Sequence, residues 1–213
     1  MNFYALVGRR GAEEVKLIDV NQEAQNDLTA RLEPHVTQIL RADHVDFAPG
    51  YQPTEGEILT IGDYEWPANL EVLMNAADAT DLPRLDTNDI EQAQIRGIAA
   101  VDWTRNNRAT VAVQRIEPRY LLRAEGFRIV VARGRFVRDA RPGLEIEDRV
   151  DAVYQRATLY VASLPRTQAV LDFTAHLREA TIAETRTSCG TGGCQLVMTS
   201  TWSISRIRSF AGR

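Results

Sequence analysis

Apolar residues open the chain in two short runs, Phe3–Val7 and Val15–Val20, separated by Gly8-Arg9-Arg10-Gly11. Runs of this length bounded by turn residues predict strands. The period then changes. Ala24, Leu28, Leu32, Val36 and Ile39/Leu40 recur every three or four residues, which gathers them on one face of a helix. Asn21 is placed to cap that helix, and Glu23 and Asp27 suit its start. Pro34 lacks an N–H and is expected to kink or split it. The Pro- and Gly-containing stretch 47–56 reads as a loop, followed by a short strand at Ile58–Ile61. Pro67–Ala77 reads as a helix with proline at its first position, and the Asp-rich stretch 78–86 as a connector. Thr87-Asn88-Asp89 is expected to cap a helix running through Arg96 and ending at Gly97.

From about 98 the pattern is different. Ala109–Ile116, Phe127–Arg133, Leu144–Glu147, Val150–Gln155 and Thr158–Ser163 are short β-branched or alternating runs joined by short polar connectors. That spacing predicts an antiparallel meander. A helix over 166–185 should follow, with Val170, Phe173, Leu177 and Ala180 on one side. Beyond 186 the chain is rich in Ser, Thr and Gly, and the pattern allows either a last strand at Gln195–Trp202 or an extension. The expected fold is α+β. An acidic part of helices and short strands (1–97) packs against a basic antiparallel β-meander closed by a helix (98–185), and a tail (186–213) follows.

Composition sets the frame for this reading. With 213 residues and 44% hydrophobic positions the chain can bury a sizeable core. No apolar run approaches the roughly 20 residues that cross a bilayer. The apolar start has no basic residues before it and reads as a strand rather than a signal peptide. With only two Cys, close together near the end, the cytoplasm is the expected compartment.

Charge changes the picture more. Residues 1–104 hold 7 Lys/Arg and 19 Asp/Glu, a formal −12, whereas residues 105–213 hold 18 and 10, a formal +8. Such a split points to nucleic acid, to another anionic surface, or to attraction between the two halves. Eleven arginines lie between 105 and 149, against six acids. Arg115, Arg119, Arg123, Arg133, Arg135, Arg138 and Arg141 are the candidate nucleic-acid contacts, because strand ends and hairpin tips stand clear of a core. A hairpin around Gly134 would project Arg133 and Arg135 together. Arg grips phosphate with a planar fork and stays charged, and phosphate contacts give affinity without sequence selection. If six of these side chains met phosphates on a duplex, log K would fall with log salt at a slope of about −5. Tyr120, Phe127 and Phe136 could stack on bases, although aromatic residues in such runs more often serve a core. A solvated face, or one docked on the protein's own acidic half, is the plainer reading of the same arginines.

Candidate catalysis is sparse. Lys16 is the one lysine beside 24 arginines, so only it could serve as a lysine base or Schiff-base former. Asp148 and Asp151 could hold a divalent ion as in metal-dependent nucleases, but the following strand Thr158–Ala162 offers no lysine. Acids on a turn, paired with nearby arginine, are the simpler reading. Cys189 and Cys194 lack partners at zinc spacing, and Cys189–Cys194 lacks the Gly-Lys-Ser/Thr ending of a phosphate loop. His35 and His44 have no evident partners. No catalytic residue, metal or cofactor is assigned.

Several segments resemble a known family. They are Val113-Gln114-Arg115-Ile116-Glu117-Pro118-Arg119 with Tyr120-Leu121-Leu122, then Glu147-Asp148-Arg149-Val150-Asp151-Ala152-Val153-Tyr154, Leu159-Tyr160-Val161, and Glu179-Ala180-Thr181. Their order resembles KwaB, the soluble component of the Kiwa anti-phage defence system. Phe47-Ala48-Pro49-Gly50-Tyr51 and Asp63-Tyr64-Glu65-Trp66-Pro67 are compatible with that family's N-terminal region. The resemblance covers roughly 45–185 and carries no invariant catalytic motif. It implies a cytoplasmic bacterial DNA-binding protein acting beside a small membrane protein, KwaA, which would recruit it to the inner membrane. On that reading the arginine-rich meander meets DNA and the acidic half meets the partner. A homo-oligomer is left open. The alternatives are a metal-dependent nuclease using Asp148 and Asp151, and a non-catalytic module that binds an acidic protein or lipid surface.

Overall fold

The computed structural model describes residues 1–9, 12–48, 51, 54, 56–92, 94–103, 109–122, 128–132, 134–139 and 141–172. The fold is mixed α+β and is organised by one large sheet with few helices. Its eight strands are β1 (Asn2–Arg9), β2 (Ala12–Leu17), β3 (His44–Asp46), β4 (Ile58–Ile61), β5 (Ile95–Trp103), β6 (Ala109–Arg115), β11 (Ala152–Gln155) and β12 (Thr158–Val161). They lie in the order β2-β1-β5-β6-β11-β12-β4-β3. All neighbours are antiparallel except β3 and β4, which pair in parallel.

Successive side chains on a strand point to opposite faces, so both faces need cover. On one face Tyr4, Leu6, Val101, Val111, Val113, Leu159 and Val161 pack with Leu70 and Leu73 of a 3-10 helix (Ala68–Met74), and with Val170 and Leu171. On the other, Phe3, Ala100, Ala112 and Val153 pack under Leu32, Val36 and Ile39 of α1 (Gln22–Arg41). The rest of that second face is closed by Ile90 of α3 (Thr87–Glu91), Ile116 and Leu121. A further short helix, α2 (Ala76–Thr80), follows the 3-10 helix.

The helix expected at 22–40 forms with Asn21 as its cap, its side chain accepting from the Ala24 N–H at 2.8 Å. It runs through Pro34 without splitting. Pro34 lies on the exposed face, where the carbonyl it leaves without a donor can meet water. Two other expectations are corrected. Pro67–Ala77 is 3-10 helix over Ala68–Met74 rather than α-helix. The helix expected to reach Arg96 stops at Glu91, its N-cap being Asp86 in a capping box with Asp89. Residues 95–103 instead form β5, in the middle of the sheet. Gly97 belongs to that strand rather than to a helix end. A Cβ there would sit 3.0 Å from both the Gln114 carbonyl oxygen and Val170 Cγ1, so glycine admits the Val170 side chain onto the sheet.

The expected boundary between the two parts at 97/98 runs through β5, and strands from both sides of it share the sheet. Of the expected meander, β6, β11 and β12 are adjacent antiparallel neighbours. The chain between β6 and β11 leaves the large sheet. It passes through a 3-10 turn (Pro118–Tyr120) and β7 (Leu121–Leu122). It returns through β10 (Gly143–Leu144), which pairs with β7. Between them β8 (Arg128–Ala132) and β9 (Arg135–Asp139) pair only with each other as a two-stranded ribbon. Of the helix expected over 166–185, residues 166–168 belong to α4 (Leu164–Gln168), which ends there; 169–172 are not helical. Residues 173–213, including the expected last strand, His176 and both cysteines, lie outside the described residues. No helix among the described residues is long and apolar enough to cross a membrane.

Candidate nucleic-acid interface

The excursion between β6 and β11 carries most of the candidate arginines. Its base is held by Arg166, which α4 presents with only 13% of its side chain exposed. Arg166 Nε donates to Asp151 Oδ1 at 2.7 Å, Nη1 to Glu117 Oε1 at 2.7 Å, and Nη2 to Glu147 Oε2 at 3.1 Å and the Arg115 carbonyl at 3.0 Å. One planar guanidinium thus ties the end of β6, the segment after it and the returning segment 147–151 to α4. Asp151 is almost fully buried, and its second oxygen accepts from the Arg115 N–H at 2.6 Å. Its carbonyl accepts from the N–H groups of Ala162 and Ser163 and from the Thr167 hydroxyl.

Around this hub the outer charges pair in turn. Arg149 Nε donates to Glu147 Oε2 at 2.9 Å, and Arg119 Nε lies 3.0 Å from Glu117 Oε2. The Tyr120 hydroxyl donates to Glu147 Oε1 at 2.7 Å, and the Arg119 guanidinium sits 4.8 Å from the centre of the Tyr120 ring. Burial pushes the Asp151 carboxyl above its ordinary value, against the opposing pull of the Arg115 N–H and Arg166. Partial burial also pushes Glu147 up, but the Tyr120 hydroxyl, Arg149 and Arg166 together hold it below the usual carboxylate range. The hydrogen bond from Tyr120 to Glu147 raises the phenol, and burial adds to the rise.

Asp148 and Asp151 therefore have separate partners. Asp148 is exposed and accepts from Arg31 Nη1 of α1 at 3.2 Å, whereas Asp151 is committed to Arg166. Among the described residues no group of three or more His, Cys, Asp or Glu side chains is arranged to hold a metal ion. Lys16 is also committed. Its Nζ lies 2.8 Å and 3.0 Å from the two oxygens of Asp89, and that hydrogen bond holds the ammonium above its ordinary value against the effect of burial.

The seven candidate arginines fall into groups. Arg115 ends β6, half-buried, with its backbone N–H on Asp151 and its carbonyl on Arg166. Arg119 is exposed but paired with Glu117. Arg123 and Arg133 lie outside the described residues. Arg135 begins β9, is exposed, and makes no ion pair with a described residue. Arg138 lies within β9 opposite Ile129, and Arg141 is exposed between the ribbon and β10. Gly134 turns the ribbon with φ +74°, and a Cβ there would meet nothing within 4 Å. Of the aromatic residues considered for stacking, Tyr120 is engaged by Glu147 and Arg119, Phe136 lies in β9 opposite Val131, and Phe127 lies outside the described residues.

Sequence reasoning did not single out Arg166, Glu117 or Glu147. The spacing Glu147-x-Arg149-x-Asp151 is the signal that was there to be read, since every second residue of an extended segment faces one way. Arg166, distant in sequence, leaves no such mark. Comparison of the chain with protein-family models, curated proteins and solved structures finds no match.

Proposed function

We propose that the protein is a sequence-independent DNA-binding component of a bacterial anti-phage defence system, acting in the cytoplasm beside a small membrane partner. The observation that carries the DNA-binding part is the β8–β9 ribbon. It forms a sheet of its own, turns at Gly134 beside the exposed Arg135, which makes no ion pair with a described residue, and belongs to the stretch of sequence with arginine at 128, 133, 135, 138 and 141. Five residues per strand span about 17 Å, and a two-stranded ribbon is an element that a DNA major groove admits.

The arginines at the base of the excursion find their acids locally. Arg119, Arg149 and Arg166 are balanced by Glu117, Glu147 and Asp151, all from the positive half of the chain. The acidic half is not their counter-charge. Arg31 with Asp148, a pair that does bridge the halves, has its arginine on the acidic side. The defence role and the membrane partner rest on the resemblance to KwaB alone. The nuclease alternative draws no support from the geometry, since its two carboxylates are engaged separately by Arg31 and Arg166.

The test is fluorescence anisotropy with two duplexes of unrelated sequence at several salt concentrations. The two should bind with equal affinity, weakening with log salt at a slope of about −5 for six phosphate contacts. Absence of binding at low salt, or a strong preference for one duplex, would sink the proposal.

A further inference from the structure

A cleft of about 500 Å³ lies at the C-terminal end of α1, away from the N-terminal half that faces the 144–146 segment, between α1, the residues leading into β4, and the chain linking β12 to α4. This volume falls in the range of small-molecule sites. Its lining includes Glu57, His35, Gln38 and Ser163, over a floor that contains Ile58 and Leu164. The Glu57 carboxylate is oriented before any ligand arrives. The Tyr51 hydroxyl donates to its Oε2 at 2.7 Å and the Thr54 N–H to the same oxygen at 2.8 Å. These bonds, that of Tyr51 foremost, hold Glu57 below the usual carboxylate range and therefore ionised at neutral pH. The Thr54 hydroxyl also hydrogen-bonds the carboxylate, whereas the side chains of His35, Gln38 and Ser163 have no hydrogen-bond partner among the described residues.

Polar side chains lining one cleft together with apolar residues suit a ligand with one polar end and an apolar body. The charge selects the class further. Glu57 is the one charged side chain among the described lining residues, and no Arg or Lys accompanies it. The cleft is thus unsuited to a phosphate and opposite in sign to the arginine-rich excursion. A lone carboxylate beside one histidine is also too few ligands for a divalent metal ion.

We infer that this cleft binds a small organic amine, its ammonium placed on the Glu57 carboxylate with oxygen acceptors from Gln38 and Ser163, and its apolar body against Ile58 and Leu164. The two acceptors complete the donor capacity of the ammonium, and the apolar floor gains from covering the hydrocarbon. The inference is independent of DNA binding, because the lining shares no residue with the ribbon.

The experiment is an NMR titration of the isotope-labelled full chain with tyramine, hexylamine and 1,6-diaminohexane, and with the neutral alcohol analogue of tyramine. At least one amine should give saturable shifts at the amides of Glu57, Ile58, Ala162 and Leu164, and the alcohol should not. Glu57→Gln should weaken that amine at least about tenfold, the loss of one charge-assisted hydrogen bond. Ala162→Trp, which fills the cleft from an exposed position, should abolish the shifts while leaving the unfolding temperature close to that of the parent. No saturable shifts with any of the amines, equal binding of the alcohol, or undiminished binding by Glu57→Gln or Ala162→Trp would each overturn the inference.

Discussion

Replacing Arg166 by Met should destabilise the protein by about 3–5 kcal/mol, because it removes one partner of a buried ion pair and strands the other. Asp151 is almost wholly buried and, among the described residues, would keep only the Arg115 N–H on its carboxylate. Burial already pushes this carboxyl up, so without Arg166 it would take a proton rather than stay ionised. Glu117 and Glu147 would lose a shared donor at the same time, although both are partly exposed and retain Arg119 and Arg149 respectively. Asp151→Asn keeps the shape and leaves Arg166 its two other acids, so its cost should be smaller, about 1–3 kcal/mol. Urea unfolding at neutral pH measures both. The double variant should cost clearly less than the sum, since the two residues share one interaction. A loss below about 1 kcal/mol for Arg166→Met would mean that the hub does not bear on stability.

Reversing the charge of Arg133, Arg135 and Arg138 to Glu should weaken duplex binding about 100-fold or more at low salt and reduce the salt slope from about −5 to about −3, as three of six phosphate contacts are lost. The fold should be indifferent to the change. Arg135 is exposed and makes no ion pair with a described residue, and the ribbon shares no ladder with the eight-stranded sheet. An exposed substitution such as Arg135→Glu usually stays within about 0.5 kcal/mol, which for a chain of this size moves the unfolding temperature by about 2 °C at most. Anisotropy titrations beside thermal unfolding separate the two effects. Weakened binding with a large fall in unfolding temperature would report damage to the fold and count against a direct role for these arginines.

The two predictions concern opposite ends of the same excursion, and they differ in how much could be read beforehand. The paired strands at the start, the 22–40 helix with its Asn21 cap, Ile58–Ile61 and the run at 109–116 were legible because each is governed by local periodicity or capping. β5 was not. Ile98-Ala99-Ala100-Val101 is buried on both faces of a central strand, so it lacks alternation, and Asp86 to Asp89 just before it is a true helix start. The expected five-strand meander failed for a related reason. Local pattern identifies extended segments but not which of them pair, and Arg128–Ala132 and Gly143–Leu144 pair outside the large sheet. The candidate site divides in the same way. A hairpin at Gly134 was readable from Arg133-Gly134-Arg135, whereas the hub depends on Arg166 meeting Glu117, 49 residues away in sequence. The bland reading of Asp148 and Asp151, as acids paired with arginine, agrees with what surrounds them.

The central claim is that the ribbon supplies the DNA contact. Leu122 and Gly143 are partners in the β7–β10 ladder, so the two ends of the excursion already lie side by side. Residues 123–142 can therefore be replaced by a short Gly/Asn turn without asking the large sheet to move. The decisive measurement is duplex affinity of that shortened chain at low salt, taken once its unfolding transition has been shown to remain cooperative. The account predicts that binding falls to background while the transition persists; undiminished binding by a folded, ribbon-less chain would contradict it.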